Sequence, residues 1–299
     1  MLDIAEAEMK LSSECVGVRT MRDGVAVTGA DAAEYLQGQL SQDVVGLPPG
    51  SAAETLLLTP QGHLEAWLRV TRVGDAEFWL DADRGAGPDV AARISRFAIR
   101  VDVHFETFPI EMVAVRGKGA AQLATAAEIG VWTVPPLGGE GLVVEGVDLL
   151  GRSVGWPSGV PEGPASLLDL LRIRQGLPCA GAEITEATIP ASVGDVNRAV
   201  SFTKGCYVGQ ELVARIDSRG AKTPYSLVLV HVGDGDGLTP SELIGTPLVV
   251  EGAEVGRVTS AVESARDGIE GLAMVKRGTP VPGQAQLSTG AEVQLRNRP

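Results

Sequence analysis

The residues best suited to chemistry lie in one stretch, Lys204-Gly-Cys-Tyr-Val-Gly-Gln-Glu-Leu-Val-Ala-Arg215. The thiol of Cys206 stands two residues from the ammonium of Lys204, with Gly205 and Gly209 on either side. Glycine reaches backbone conformations closed to other residues and lets other atoms approach the main chain. From Gln210 to Ile216 the pattern predicts a short helix, with Glu211 in the first turn, where the macrodipole favours an acid. A cysteine just ahead of a helix and beside a lysine is shifted toward the thiolate, the form that attacks, is oxidised or binds metal. The same stretch also reads as a tight turn whose cysteine only fills space, since cysteine is among the most buried residue types.

Around this stretch the chain has 299 residues, enough for about two domains and a sizeable core. Hydrophobic residues make up 44%, which excludes a disordered chain. Acidic residues outnumber basic ones, 38 to 25, for a net charge of −13, so a broad surface for duplex nucleic acid is not expected. A local basic pocket for a carboxylate ligand remains compatible with that charge. No segment is long and apolar enough to span a membrane, and the acidic start, Met1 to Lys10, has no apolar run of signal-peptide length. Cys15, Cys179 and Cys206 lie far apart without paired spacing, which argues against a disulfide framework or zinc site and points to a reducing cytoplasm. With only His63, His104 and His231, a histidine metal cluster has little to draw on, and no metal site is expected.

The elements that position the signature read as follows. Gly24–Thr28 is a strand, followed by a helix through Ala33, Leu36 and Leu40. Thr55–Thr59 and His63–Thr71 form a hairpin turned at Pro60-Gln-Gly62. In its second strand Glu65, Trp67, Arg69 and Thr71 share one face, opposite Leu64, Ala66, Leu68 and Val70. Trp67 is thus a candidate binding wall, or a tryptophan covered by another element. Further strands are expected at 77–81, 100–106, 111–116, 142–147 and 153–156, with helices at 89–97, 120–129 and 166–175. Residues 131–141 read as a Pro/Gly-rich connection. Trp156 is a second aromatic candidate, or a strand-end core residue. After Asp217-Ser-Arg-Gly220 come short strands at 225–232, 247–251, 253–260 and 271–276.

Lys204-Gly-Cys-Tyr-x-Gly-Gln-Glu with Ala214-Arg215 resembles the signature of the YgfZ-type folate-binding proteins, relatives of the aminomethyltransferase (T-protein) of the glycine cleavage system. From about Gly24 to Lys276 the chain is similar to that superfamily. The resemblance implies an α+β fold: two similar α+β lobes, about 1–110 and 111–220, form a folate-binding region, and a small C-terminal antiparallel β-barrel takes 221–299. It implies tetrahydrofolate or a one-carbon derivative as cofactor, and iron–sulfur client or assembly proteins as partners.

Departures from the T-protein pattern bear on mechanism. Where an acidic pair follows the hairpin glycine in those enzymes, this chain reads Gly62-His-Leu-Glu65-Ala66, which speaks against aminomethyl transfer. Leu171-Arg-Ile-Arg-Gln-Gly-Leu177 resembles Leu-Arg-x-Glu-x-Gly-Leu, but Arg174 replaces the folate-contacting glutamate. Glu186, in Gly181-x-Glu-Ile-Thr-Glu-x-x-Ile-Pro190, is either a replacement acid or a solvated loop residue. The resemblance places Cys206 and Lys204 at the edge of a folate cavity. Trp67, Glu65, Arg174 and Glu186 are expected around the folate. So are Gly205, Tyr207, Gly209, Gln210, Glu211 and Arg215 of the signature. The expected function is a folate-binding accessory protein for iron–sulfur cluster assembly or repair. The alternatives are a folate-dependent one-carbon (aminomethyl) transferase and an interaction scaffold with a vestigial cavity.

Overall fold

The computed structural model describes residues 1–125, 130–138, 144–218, 220, 222–233, 237–265 and 268–299. Helix α1 (Ile4–Lys10) starts at a capping box between Asp3 and Glu6. It leads into β1 (Cys15–Thr28), α2 (Ala32–Gln39), the hairpin β2 (Ala52–Leu58) and β3 (Leu64–Gly74), β4 (Glu77–Ala82) and α3 (Gly87–Ser95). Then follow β5 (His104–Gly117), a 3₁₀ turn at Ala120–Thr125, β6 (Val131–Val134), β7 (Gly146–Gly151), α4 (Ser166–Arg174), α5 (Pro190–Val193) and α6 (Gln210–Asp217).

Strands β1 to β7 hydrogen-bond into one seven-stranded sheet, ordered β2-β3-β4-β1-β5-β7-β6. The segments expected as two lobes share this sheet, and residue 110 falls inside β5, which β1 pairs along its whole length from Cys15↔Gly117 to Thr28↔His104. Val25, Val27, Leu68, Phe78 and Leu80 point to one face, under Leu36 of α2 and Val90 and Ile94 of α3. The period-2 alternation of strands sends Arg22, Trp67, Arg69, Asp81, Arg116 and Asp148 to the other face. Arg69 on β3 and Asp148 on β7 are four places apart in the strand order, yet their side chains meet at 2.8 Å, so the sheet curls around this second face.

Six strands between Tyr225 and Arg296 form the β-barrel. Strands β8 (Tyr225–Val232), β9 (Pro247–Val250), β10 (Ala253–Ser264), β11 (Gly268–Lys276), β12 (Gly283–Leu287) and β13 (Glu292–Arg296) close in the order β10-β11-β8-β13-β12-β9, with the short α7 (Pro240–Leu243) at one end. A closed barrel leaves no unpaired edge. Among the described residues, no helix is long and apolar enough to cross a membrane.

Several local expectations change. The strands read at 100–106 and 111–116 are one strand, β5. The helix read at 120–129 is a 3₁₀ turn to Thr125, and residues 126–129 lie outside the described ones. Residues 153–156 are not a strand; the backbone N–H of Val154 instead donates to Glu111 at 3.0 Å. The strand read at 142–147 begins at Gly146, with 142 and 143 outside the described residues, and part of the Pro/Gly-rich connection is β6.

Candidate functional site

A cavity of about 300 Å³ opens on the curled face of the sheet, beneath α4. Its inner wall is a buried ladder of charges. Arg69, 1% exposed, donates from Nε to Asp81 at 2.8 Å and from Nη1 to Asp148 at 2.8 Å and to the carbonyl of Pro135 at 2.6 Å. Arg22 donates from Nε to Asp81 at 2.6 Å and from Nη1 to Asp83 at 3.0 Å. Arg116 completes the row with Asp148 at 2.7 Å. Burial raises the Asp148 carboxyl, but Arg116 and Arg69 outweigh it and hold the group below the ordinary carboxylate value. The opposing side is α4, whose Leu168, Leu171, Arg172 and Gln175 follow helical spacing. The segment Leu177-Pro178-Cys179 closes the rim.

Trp67 lines this cavity, and it is also covered. Its indole N–H donates to Glu54 at 2.7 Å, the guanidinium of Arg198 lies 5.6 Å from the ring centroid, and the residue is 7% exposed. Gly194 packs so closely that a Cβ there would fall 2.3 Å from the indole. This tryptophan is therefore fixed by neighbouring elements, and what it leaves free lines the cavity.

None of the other residues expected around the folate lines the cavity. Glu65 turns to Arg93, in an ion pair at 2.7 Å. Arg174 leaves the cavity to bridge α1 and the barrel, contacting Glu8 at 2.7 Å and Glu270 at 2.5 Å. Glu186 is exposed. Trp156 donates its N–H to the carbonyl of Val160 at 2.8 Å and packs in the apolar cluster around Val113 and Val115.

The signature sits against α2 and the β2–β3 turn. The ammonium of Lys204 donates to the carbonyls of Gln37, Leu40 and Gln42 at 2.6, 2.7 and 2.8 Å, closing the C-terminal end of α2. All three ammonium hydrogens are thus used. Burial pushes the lysine down to about 8, against the opposing pull of Asp43. Tyr207 lies 5.3 Å beneath that ammonium, its hydroxyl pushed up to about 12 by burial. Its backbone N–H donates to the side chain of Gln210 at 3.1 Å. Gly209 takes φ +82° immediately before α6, and a Cβ there would meet the carbonyl of Thr59 at 2.5 Å, so glycine is required. Glu211 and Arg215 are exposed on α6, and open space surrounds Gly205. Cys206 is exposed on this loop. The cysteine on the cavity is Cys179, whose thiol burial pushes up to about 12, despite the opposing pull of Arg172.

The charge ladder is absent from the sequence expectations. Its signal is parity: Arg69 and Thr71 sit on the same strand face as Trp67, and Asp81 interrupts an apolar strand. What parity alone does not supply is the curl that buries this face.

An uncharacterized protein of Haemophilus influenzae is 28% identical over 84% of this chain and 85% of its own length. The tRNA-modifying protein YgfZ of Vibrio vulnificus is 29% identical over 66% of this chain and 64% of its own length. The crystal structure of the glycine cleavage system aminomethyltransferase T from Bartonella henselae superposes with a TM-score of 0.77 at 19% identity, covering 99% of this chain and 88% of that one. This chain is similar in sequence to YgfZ proteins and in fold to an aminomethyltransferase. The chain shares with the Bartonella protein a fold of mixed helix and sheet, and its six-stranded barrel is the small C-terminal barrel of that fold. No family model matches the chain.

Proposed function

We propose that the chain is a tetrahydrofolate-binding accessory protein that supports iron–sulfur cluster assembly or repair in the cytoplasm, with the folate seated in the cavity under α4. The observation that carries this reading is the cavity itself. Its volume of about 300 Å³ is at the lower end for small-ligand pockets. It combines an indole wall, which suits an aromatic ring, with lining arginines, which suit an anionic end. The rest of a longer ligand would lie toward the mouth.

The ion pair of Glu65 with Arg93 favours an accessory role over aminomethyl transfer, since the one acid near the family's catalytic position is engaged elsewhere. The exposed thiol of Cys206 is the feature that supports a role toward iron–sulfur partners. It lies on a surface loop, where a second protein can reach it.

Titration with tetrahydrofolate tests the reading. Binding is expected to change the intrinsic tryptophan fluorescence and raise the thermal midpoint, since a ligand at a hundred times its Kd adds about 2.7 kcal/mol to the folded state. Unchanged fluorescence and midpoint at saturating folate would refute it.

A further inference from the structure

We propose that Arg22, inside the cavity, and Arg84, at its mouth, receive the carboxylate end of the ligand. This rests on the folate reading above, in which that end is the glutamyl tail. The arginines lining the cavity differ in how fully their donors are used. Arg69 spends Nε, Nη1 and Nη2 on Asp81, Asp148 and the carbonyl of Pro135. Arg22 is 9% exposed; its Nε and Nη1 are paired with Asp81 and Asp83, but its Nη2 is buried with no hydrogen-bond partner. Buried guanidinium nitrogens without an acceptor are uncommon because desolvation is then uncompensated. Arg22 as a residue lines the cavity, so a carboxylate seated against its guanidinium would supply the acceptor that Nη2 lacks.

Arg84 stands next to Asp83 on the turn after β4; it lines the same cavity, is exposed, and is in no hydrogen bond or ion pair among the described residues. Asp83 cannot neutralise it fully, because its carboxylate already accepts from Arg22 and from the backbone N–H of Ala180 at 2.9 Å. On α4 the exposed Asp169 also lines the cavity, and it repels a carboxylate from that side. The chain as a whole carries −13, which disfavours an anion at long range. Salt screens that field beyond about 8 Å, so local arginines decide where the anion settles.

The experiment measures two affinities on each protein: for tetrahydrofolate, and for tetrahydropteroyl methylamide, which keeps the ring and the aminobenzoyl amide but has no carboxylate. The wild type is expected to bind tetrahydrofolate more tightly, by about three- to tenfold, as charge-assisted contacts near a surface allow. Arg84→Ala is expected to shrink that ratio, and Arg84→Glu to invert it, with the amide's affinity unchanged. Arg22→Gln is expected to shrink it as well; a ratio taken on one protein is insensitive to a general loss of stability. Equal binding of both ligands by the wild type, or an Arg84→Glu ratio like the wild type's, overturns this inference and leaves the folate reading standing. Failure of the wild type to bind either ligand overturns both.

Discussion

The charge ladder makes a demanding prediction for Arg69→Met, which keeps the shape of the side chain and removes its donors. Arg69 is 1% exposed and joins β3 to Asp81 on β4 and to Asp148 on β7. Without it each carboxylate keeps one cation: Asp81 has Arg22 at 2.6 Å, and Asp148 has Arg116 at 2.7 Å. Removing one partner from a buried ion pair costs about 3–5 kcal/mol, because a charge is left uncompensated. Since both acids retain a partner, the lower half of that range is expected, lowering the thermal midpoint on the order of 5–10 °C.

The pH dependence separates this mechanism from simple loss of packing. Asp148 is held below its ordinary value in the folded state, so its contribution is complete above the unfolded carboxylate value and is lost as pH falls through the folded one. In Arg69→Met one of its two cations is gone and the folded value rises. Part of the contribution is then absent at neutral pH, and protonation can relieve the variant as the medium becomes acidic. The gap between wild type and variant should therefore be widest near neutrality and narrow below about pH 4. Urea unfolding followed by circular dichroism at both conditions reads the gap. A variant within about 1 kcal/mol of wild type at neutrality, the size of an ordinary substitution, or a gap that does not move with pH, would refute the reasoning.

Three further outcomes follow from the same geometry. Gly194→Ala places a Cβ 2.3 Å from the Trp67 ring; overpacking of this kind costs roughly 1–3 kcal/mol, and the displaced indole should weaken ligand binding, seen in thermal denaturation and titration. Cys179, pushed up to about 12 by burial, should alkylate far more slowly than Cys206 at mildly alkaline pH, since only about one thiol in ten thousand is then ionised; peptide mass spectrometry reads the order, and faster labelling of Cys179 contradicts it. Lys204, pushed down to about 8 by burial, releases its proton in the folded state before it does at its ordinary value of 10.5, so the unfolded chain binds more protons between those values and stability should rise with pH across that window. In Lys204→Met this rise should vanish; thermal midpoints of both proteins across the window check it, and parallel curves would count against it.

Much of the fold is legible in the chain, for reasons that differ by element. The β2–β3 hairpin announces itself through Pro60-Gln-Gly62 and strict alternation, which also put Trp67 and Arg69 on one face. Helix α6 is readable from Gly209 and the acid after it. Strand β5 reads as two strands because Pro109 interrupts it, and proline is unwelcome within a sheet. At that level, among the described residues, β5 pairs with β1, and β7 joins from Glu111 onward, after the proline. The interaction partners of charged residues are not legible. Lys204 is two residues from Cys206 in sequence, but its ammonium is held by three carbonyls around the end of α2. Arg174 stands where the resemblance expects a folate-contacting glutamate, and its side chain is drawn to acids on α1 and the barrel. Local sequence says which charges exist, and the long-range fold says which acids they find.

The signature stretch consequently divides into residues that build and one that does not. Lys204 closes α2, Gly209 admits the backbone of Thr59, and Gln210 caps the turn at Tyr207. Tyr207 packs against an apolar cluster that contains Trp67, Leu170 and Ile173 of α4, and Leu227 and Leu272 of the barrel. Cys206 builds nothing comparable, since it is exposed and its neighbour Gly205 has open space around it. A thiol on a surface loop and a cavity on the curled face of the sheet are therefore separate places joined by one core. Ligand binding that shifts Trp67 would press on the cluster against which Tyr207 rests, and Tyr207 is the residue next to Cys206. Any coupling between a filled cavity and a partner at the thiol has this packed route to travel, since close-packed interiors transmit strain.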